Sequence, residues 1–239
     1  MTVEKPIAKR AAKSGKPKRT RFSVALRERL ARIARELERF YASGGRRFPW
    51  RDETDPYRIA VSEILLQKTR ASSVPETYGM LVSMYRDAKS LGAAESAVLA
   101  RILTPLGLYR KRARQLIAMG KELSSDNAPS LSEWEHSLRY VPGLGKYSAR
   151  AVACFAFAQR VGIVDANVAR ILRRAFSIRD RDLRAPVFQR YADALAVSVD
   201  DPQALNYGLL DLGAMICTRA PKCQICPIAD ECDYRNLRL

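Results

Sequence analysis

The sequence has a single histidine, His136, only five cysteines, and no apolar run approaching the ~18 residues that a membrane-spanning helix needs. One histidine excludes His-based metal sites and nucleophilic sites built on a histidine cluster. Acid–base chemistry therefore falls to carboxylates, Lys, Tyr or Cys. His136 itself lies in Glu133-Trp134-Glu135-His136 and reads as a solvated residue on a helix surface. The N-terminus is basic but lacks the apolar stretch of a secretory signal, so a cytoplasmic, nucleoid-associated location is expected, with no membrane contact. Strand-like alternation is also missing, and no internal repeat is in register.

What is present is a globular composition, 47% hydrophobic over 239 residues, with 42 Lys and Arg against 25 Asp and Glu. The formal charge of +17 repels itself unless a polyanion compensates it. Nucleic acid is the partner such a surface suits, through counterion release. Residues 1–21 carry Lys5, Lys9, Arg10, Lys13, Lys16, Lys18, Arg19 and Arg21 against Glu4 alone. They read as a disordered basic arm that adds non-specific DNA affinity, or as a solubilising tail. From Ser23 the pattern turns helical: Leu26, Leu30, Ile33, Ala34 and Leu37 recur at helical spacing over 24–42, and Gly44-Gly45 ends the run. Further helices are expected at 57–69, 74–86, 93–103, 110–124, 132–140, 147–158, 165–176, 185–198 and 203–216, which makes the fold class all-α.

Four segments carry chemistry. Cys217, Cys223, Cys226 and Cys232 fall within sixteen positions. In a cytosolic basic protein such a set is a metal centre rather than a disulfide framework, and the spacing alone leaves all-cysteine zinc and a 4Fe–4S cluster both open. The fifth, Cys154, reads as a small buried hydrophobe. Val141-Pro142-Gly143-Leu144-Gly145-Lys146-Tyr147 lies between two helical patterns, with Ser132 and Glu135 as a capping box for the first. Its glycines permit a tight turn that bares backbone N–H groups toward a phosphate; the plain alternative is an ordinary interhelix turn. Asp165 opens a helix, as an N-cap would. Glu63, among apolar neighbours, lies on a solvated face or faces a cleft, where burial would make it a proton donor.

In their order along the chain these segments resemble the helix–hairpin–helix (HhH-GPD) DNA glycosylases with a cluster loop: endonuclease III and the A/G-mismatch adenine and T/G-mismatch thymine glycosylases. The resemblance runs from about Phe48 to Cys232 and rests on Pro49-Trp50-Arg51, Ser62-Glu63-Ile64-Leu65-Leu66-Gln67-Lys68-Thr69, the hairpin, Val164-Asp165-Ala166-Asn167 and the cysteines. It implies a 4Fe–4S cluster rather than zinc, although the first cysteine gap is one residue shorter than usual. It implies two helical lobes flanking a catalytic cleft: a six-helix barrel lobe at 54–166, and a cluster lobe joining the N-terminal helix (22–53) to residues 167–239, with the iron–sulfur loop at 217–232. The expected partner is double-stranded DNA containing a mismatched or damaged base, bound by a monomer.

The same resemblance assigns roles. Gly143, Leu144, Gly145 and Lys146 hold DNA. Gln67, Lys68 and Thr69 also contact DNA, with Gln67 and Lys68 filling the gap left by the flipped nucleotide; otherwise they are exposed polar residues at a helix end. Asp165 steadies the sugar cation, and Glu63 protonates the departing base and positions water. Tyr147 stands where bifunctional relatives place a Schiff-base Lys, so the enzyme is expected to be monofunctional, with Lys146 turned about 100° from the pocket. Tyr147, Ala166 and Leu106-Gly107-Leu108-Tyr109 look closer to thymine-directed enzymes, and the chain ends just past the cluster loop, without the extra domain of adenine enzymes. Thymine or uracil opposite guanine is the favoured substrate. Adenine opposite guanine or 8-oxoguanine is the alternative, and a non-catalytic DNA-binding module the second.

Overall fold

The computed structural model describes residues 22–126, 128 and 138–237. The basic arm, His136, and the Ser132/Glu135 capping box lie outside them, as does most of the helix expected at 132–140, of which 138–140 form a 3₁₀ turn. Among the described residues every regular element is helical. In chain order the α-helices are α1 Val24–Gly44, α2 Pro56–Leu66, α3 Pro75–Met84, α4 Ala88–Gly92, α5 Ser96–Leu103 and α6 Tyr109–Leu123. They continue with α7 Lys146–Phe157, α8 Ala166–Ala175, α9 Pro186–Ala196, α10 Pro202–Met215 and the short α11 Asp233–Asn236.

Apolar side chains gather into two cores. The first takes Ile59, Ile64 and Leu65 of α2, Leu99 of α5, Leu116 of α6 and Val152 of α7. The second takes Leu30, Ile33 and Leu37 of α1, Ile171 and Leu172 of α8, Phe188 of α9, and Leu205 and Leu212 of α10. The i, i+3, i+4, i+7 face of α1 is thus buried as its periodicity predicts. Trp50 and Tyr207 join the first core, although each neighbours segments packed in the second. Two glycines allow backbones to touch: a Cβ on Gly120 would lie 2.5 Å from the Gly92 nitrogen, joining α4 to α6, and one on Gly208 would lie 2.4 Å from the Leu37 oxygen, joining α1 to α10.

Two departures from the sequence pattern have physical causes. α2 ends at Leu66, three residues short of the expected Thr69, because Gln67 turns extended and Lys68 enters the left-handed region at φ 55°. The freed carbonyls are taken by the buried Arg112 guanidinium, which donates to Ile64 O (3.3 Å) and Gln67 O (2.7 Å), and also to Thr69 Oγ1 (2.8 Å). α4 was not expected; a capping box between Asp87 and Ser90 starts it in a segment with little apolar periodicity.

Asp211, fully buried on α10, holds the 46–51 segment in place. Its carboxylate accepts from the Arg46 backbone N–H (2.8 Å), Arg46 Nε (2.6 Å), and Arg51 Nη1 (2.8 Å) and Nη2 (2.7 Å). Burial alone would raise this carboxyl, but the hydrogen bonds and charge of Arg51, joined by Arg46, hold it below the usual carboxylate range. Arg51 in turn lies over the Tyr207 ring, 4.5 Å from its centroid. Removing one partner of such a pair strands the other. Asp211→Ala is therefore expected to cost about 3–5 kcal/mol in urea unfolding. Arg46→Ala, whose side chain is 30% exposed, should cost much less; equal losses would show that the pair is not the anchor.

Candidate active site

Glu63 lies on the α2 face turned toward α7. Eight residues of α2 are buried, Glu63 among them at 6% exposure. The Ser148 hydroxyl, on the first turn of α7, is its hydrogen-bond partner. Burial, only partly offset by that bond, pushes the carboxyl up to about 8. At neutral pH Glu63 therefore carries a proton.

The hairpin meets α2 closely. Gly143 takes φ +85°, and a Cβ there would fall 2.8 Å from Ile64 Cδ1. Gln67 Nε2 donates to Gly143 O at 2.8 Å. Gly145 differs: its φ is −102°, open to any residue, and a Cβ would meet nothing. The tight turn thus needs only one glycine; the second leaves open space before α7, whose first N–H groups receive no side-chain cap. Leu144 is buried, and Lys146 is exposed.

Asp165 is the N-cap of α8. Oδ1 accepts from the N–H groups of Asn167 (2.9 Å) and Val168 (2.7 Å), and Oδ2 accepts from Asn167 Nδ2 (2.9 Å). The plain capping role and a place in a site coincide, because Glu63, Tyr147 and Asp165 line the same cavity. Burial, then the Glu63 and Asp165 carboxyls, raise the Tyr147 phenol well above its ordinary value, so it remains a neutral hydroxyl. Tyr207, stacked on Phe155 with centroids 4.1 Å apart, and Asn167 complete the wall. Lys146 lines an outer cleft with Tyr147 and Asp165, away from Glu63.

Of the three residues at the end of α2, Gln67 is tied to Gly143. The Thr69 hydroxyl accepts from Arg112, and Lys68 is exposed. The same Arg112 donates to Leu106 O (3.1 Å) and Gly107 O (2.6 Å), locking a second loop beside the first. From that loop Leu108 projects, 53% exposed at φ +49°. Sequence reasoning gave no role to Arg112, Leu108 or Ser148, although they lie in or beside its motifs, and did not single out Tyr207 or pair Arg51 with Asp211. One signal existed: Arg112 shares the buried face of α6 with Leu116 and Met119, at i, i+4 and i+7.

The four cysteines line one pocket at the far end of the second core. None is in a disulfide. Burial pushes the Cys226 thiol up to about 11 and raises Cys232. Among the described residues no three Cys, His, Asp or Glu side chains are arranged to hold a metal ion. The short 218–222 loop closes on its own backbone, with Thr218 and Lys222 N–H both donating to Ile216 O, and still leaves Cys217 facing the others. Arg170 donates to Cys217 O (2.9 Å) and Arg174 to Cys217 Sγ (3.3 Å), fixing this loop to α8.

A family profile described as "HhH-GPD superfamily base excision DNA repair protein" matches residues 61–195. The chain is 32% identical over 217 residues to a thymine-DNA glycosylase of Aeropyrum pernix, covering 89% of this chain and 95% of that protein. It is 36% identical over 202 residues to an adenine DNA glycosylase of Mycobacterium tuberculosis, covering 82% and 66%. Its fold is similar to that of a thermostable thymine-DNA glycosylase, with TM-score 0.82 and 29% identity over 89% of this chain and 99% of that one. An endonuclease III trapped on DNA shares the fold at TM-score 0.72 and 19% identity, over 89% and 98%. The profile spans more than half the chain and includes Glu63, Tyr147 and Asp165: the chain belongs to the HhH-GPD superfamily of base excision DNA repair proteins.

Proposed function

We propose that this protein is a monofunctional DNA glycosylase that releases thymine or uracil opposite guanine. The observation that carries the reading is the pair of unlike carboxyls, protonated Glu63 and N-capping Asp165, on one cavity. The hairpin, with uncapped α7 N–H groups and open space at Gly145, suits a phosphate without reading a base. Exposed Lys68 and Leu108, on two loops locked by Arg112, are available to fill the stack after a nucleotide flips. As the C1′–N bond breaks, its electron pair leaves with the base, and the Glu63 proton goes to that base. Positive charge grows on the sugar beside the Asp165 carboxylate. Water then adds to C1′, and its proton returns to Glu63. Tyr147 has no amine for a Schiff base, so the abasic strand stays intact.

The thymine reading draws support from the Aeropyrum pernix relative, matched over 95% of its length, and from the neighbouring thymine-DNA glycosylase structure. One observation favours adenine as a second reading: Glu63 holds a proton, which a departing adenine needs. For the cysteines we favour a 4Fe–4S cluster. The four thiols line one pocket, and the family to which the chain belongs includes endonuclease III-like enzymes that hold such a cluster on four cysteines. When bound, such a cluster crosslinks the loop and contributes folding energy. Cys226→Ser should lower iron from about four per chain and lower Tm; stoichiometric zinc in anaerobically purified protein would contradict the assignment.

Asp165→Asn keeps the Oδ1 cap while losing the charge. Asn167 then turns its carbonyl to the new amide, so the cap should cost under about 1 kcal/mol. Single-turnover excision should fall roughly 10²–10³-fold, as a lost transition-state contact of about 3–4 kcal/mol requires, with mismatch binding kept. Borohydride should trap no adduct with the native protein, and Tyr147→Lys should create one. Efficient trapping without that change would shift the chemistry to Lys146.

The Glu63 carboxyl, raised from 4.5 to about 8, gives a signed pH dependence. The folded state holds a proton that the unfolded chain has released. Its stability contribution is therefore full below about pH 4.5 and lost as pH rises through about 8. Tm of the native protein should fall over that window relative to Glu63→Gln. Excision should decline above pH 8 in the native protein, whereas Glu63→Gln, slower by about 10²-fold, should lack that limb. Parallel profiles would exclude Glu63 as the acid.

A further inference from the structure

The cavity opens into a wide cleft whose second wall belongs to neither the hairpin nor the cysteine loop. One wall presents Lys146, Tyr147 and Asp165; the other presents Arg181, Asp182, Arg184 and Gln189, from the 177–185 segment and the start of α9. The segment's own bonds set this display. Asp180 Oδ1 accepts from the Asp182 N–H (2.9 Å) and Asp182 Oδ1 from the Arg184 N–H (3.0 Å), while Leu183 packs against the second core. Arg181 and Arg184 are left exposed on the cleft side.

Most arginines nearby are already engaged. Arg112, Arg150, Arg170 and Arg174 spend their N–H groups on carbonyls, a carboxylate or a thiol. Arg181 and Arg184 have no side-chain hydrogen bond or ion pair among the described residues. Asp182 is the one carboxylate on their wall, and one of its oxygens is held by the Arg184 backbone. Two helix N-termini also open here without side-chain caps, that of α7 at Gly145 and that of α9 at Ala185. Three exposed cations and two helix ends without side-chain caps thus line one cleft beside the Glu63 cavity, a surface that suits an anionic polymer.

We propose that Arg181 and Arg184 are a second phosphodiester-binding arm, gripping the strand that feeds the cavity from the side opposite the hairpin. The inference rests on the glycosylase reading of that cavity and adds a contact surface to it. Phosphate contacts position a duplex without reading its sequence, so matched and mismatched DNA should be affected alike.

The test is the salt dependence of binding by the full chain, on matched and mismatched duplexes, with single-turnover base release at saturating protein. Arg181→Ala/Arg184→Ala should lower the log–log slope by about 1 per arginine and weaken both duplexes equally. Arg181→Lys/Arg184→Lys should restore the slope. Arg27→Ala/Arg101→Ala removes the same charge from exposed positions elsewhere and should change the slope less. Equal slopes in the two alanine pairs, or a lost release rate with an unchanged slope, would overturn the inference. Absence of base release by the native protein would instead overturn the glycosylase reading.

Discussion

A buried carboxylate facing two guanidiniums organises the centre of this molecule. Asp211 cannot be solvated, so Arg46 and Arg51 must reach it, and the segment between them is pinned against α10. Arg51 then lies under Tyr207, Tyr207 stacks on Phe155 of α7, and both rings wall the cavity. Trp50, in the same segment, packs into the first core while α10 packs in the second. One ionic contact thus ties the segment that carries Trp50 of the first core to α10, which packs in the second, and Arg51 and Tyr207 line the cavity.

The cavity holds two carboxyls in unlike surroundings. Glu63 meets burial and one hydroxyl, and becomes a neutral acid. Asp165 instead accepts from two backbone N–H groups and an amide at the N-terminus of α8. The proposed chemistry uses this difference: one acid gives a proton while the other faces growing positive charge. The phenol between them supplies neither charge nor amine.

Much of this was legible in the sequence, for identifiable reasons. The α1 stripe, Gly143 in its turn, Asp165 as a cap, and the cysteines on one pocket each follow from local geometry or spacing. What failed to show were long-range polar contacts. Asp211 sits among Leu209, Leu210 and Leu212, and nothing nearby in sequence announces Arg51 as its partner. The helical pattern runs past the end of α2 because Arg112, more than forty residues away, captures its carbonyls. Charge was legible only in sum. A formal +17 does not tell Arg112 and Arg174, spent on internal carbonyls, from Arg181 and Arg184, exposed on the cleft.

The central claim is that this cavity cleaves a base from DNA without cutting the strand. The most direct measurement is single-turnover release of free base from four duplexes, carrying T:G, U:G, A:G and A:8-oxoguanine, with strand integrity followed before and after alkali. The expected result is free thymine and uracil, with strand breaks only after alkali. Release of adenine alone would contradict the assigned substrate, and no release from any duplex would contradict the catalytic assignment of Glu63 and Asp165.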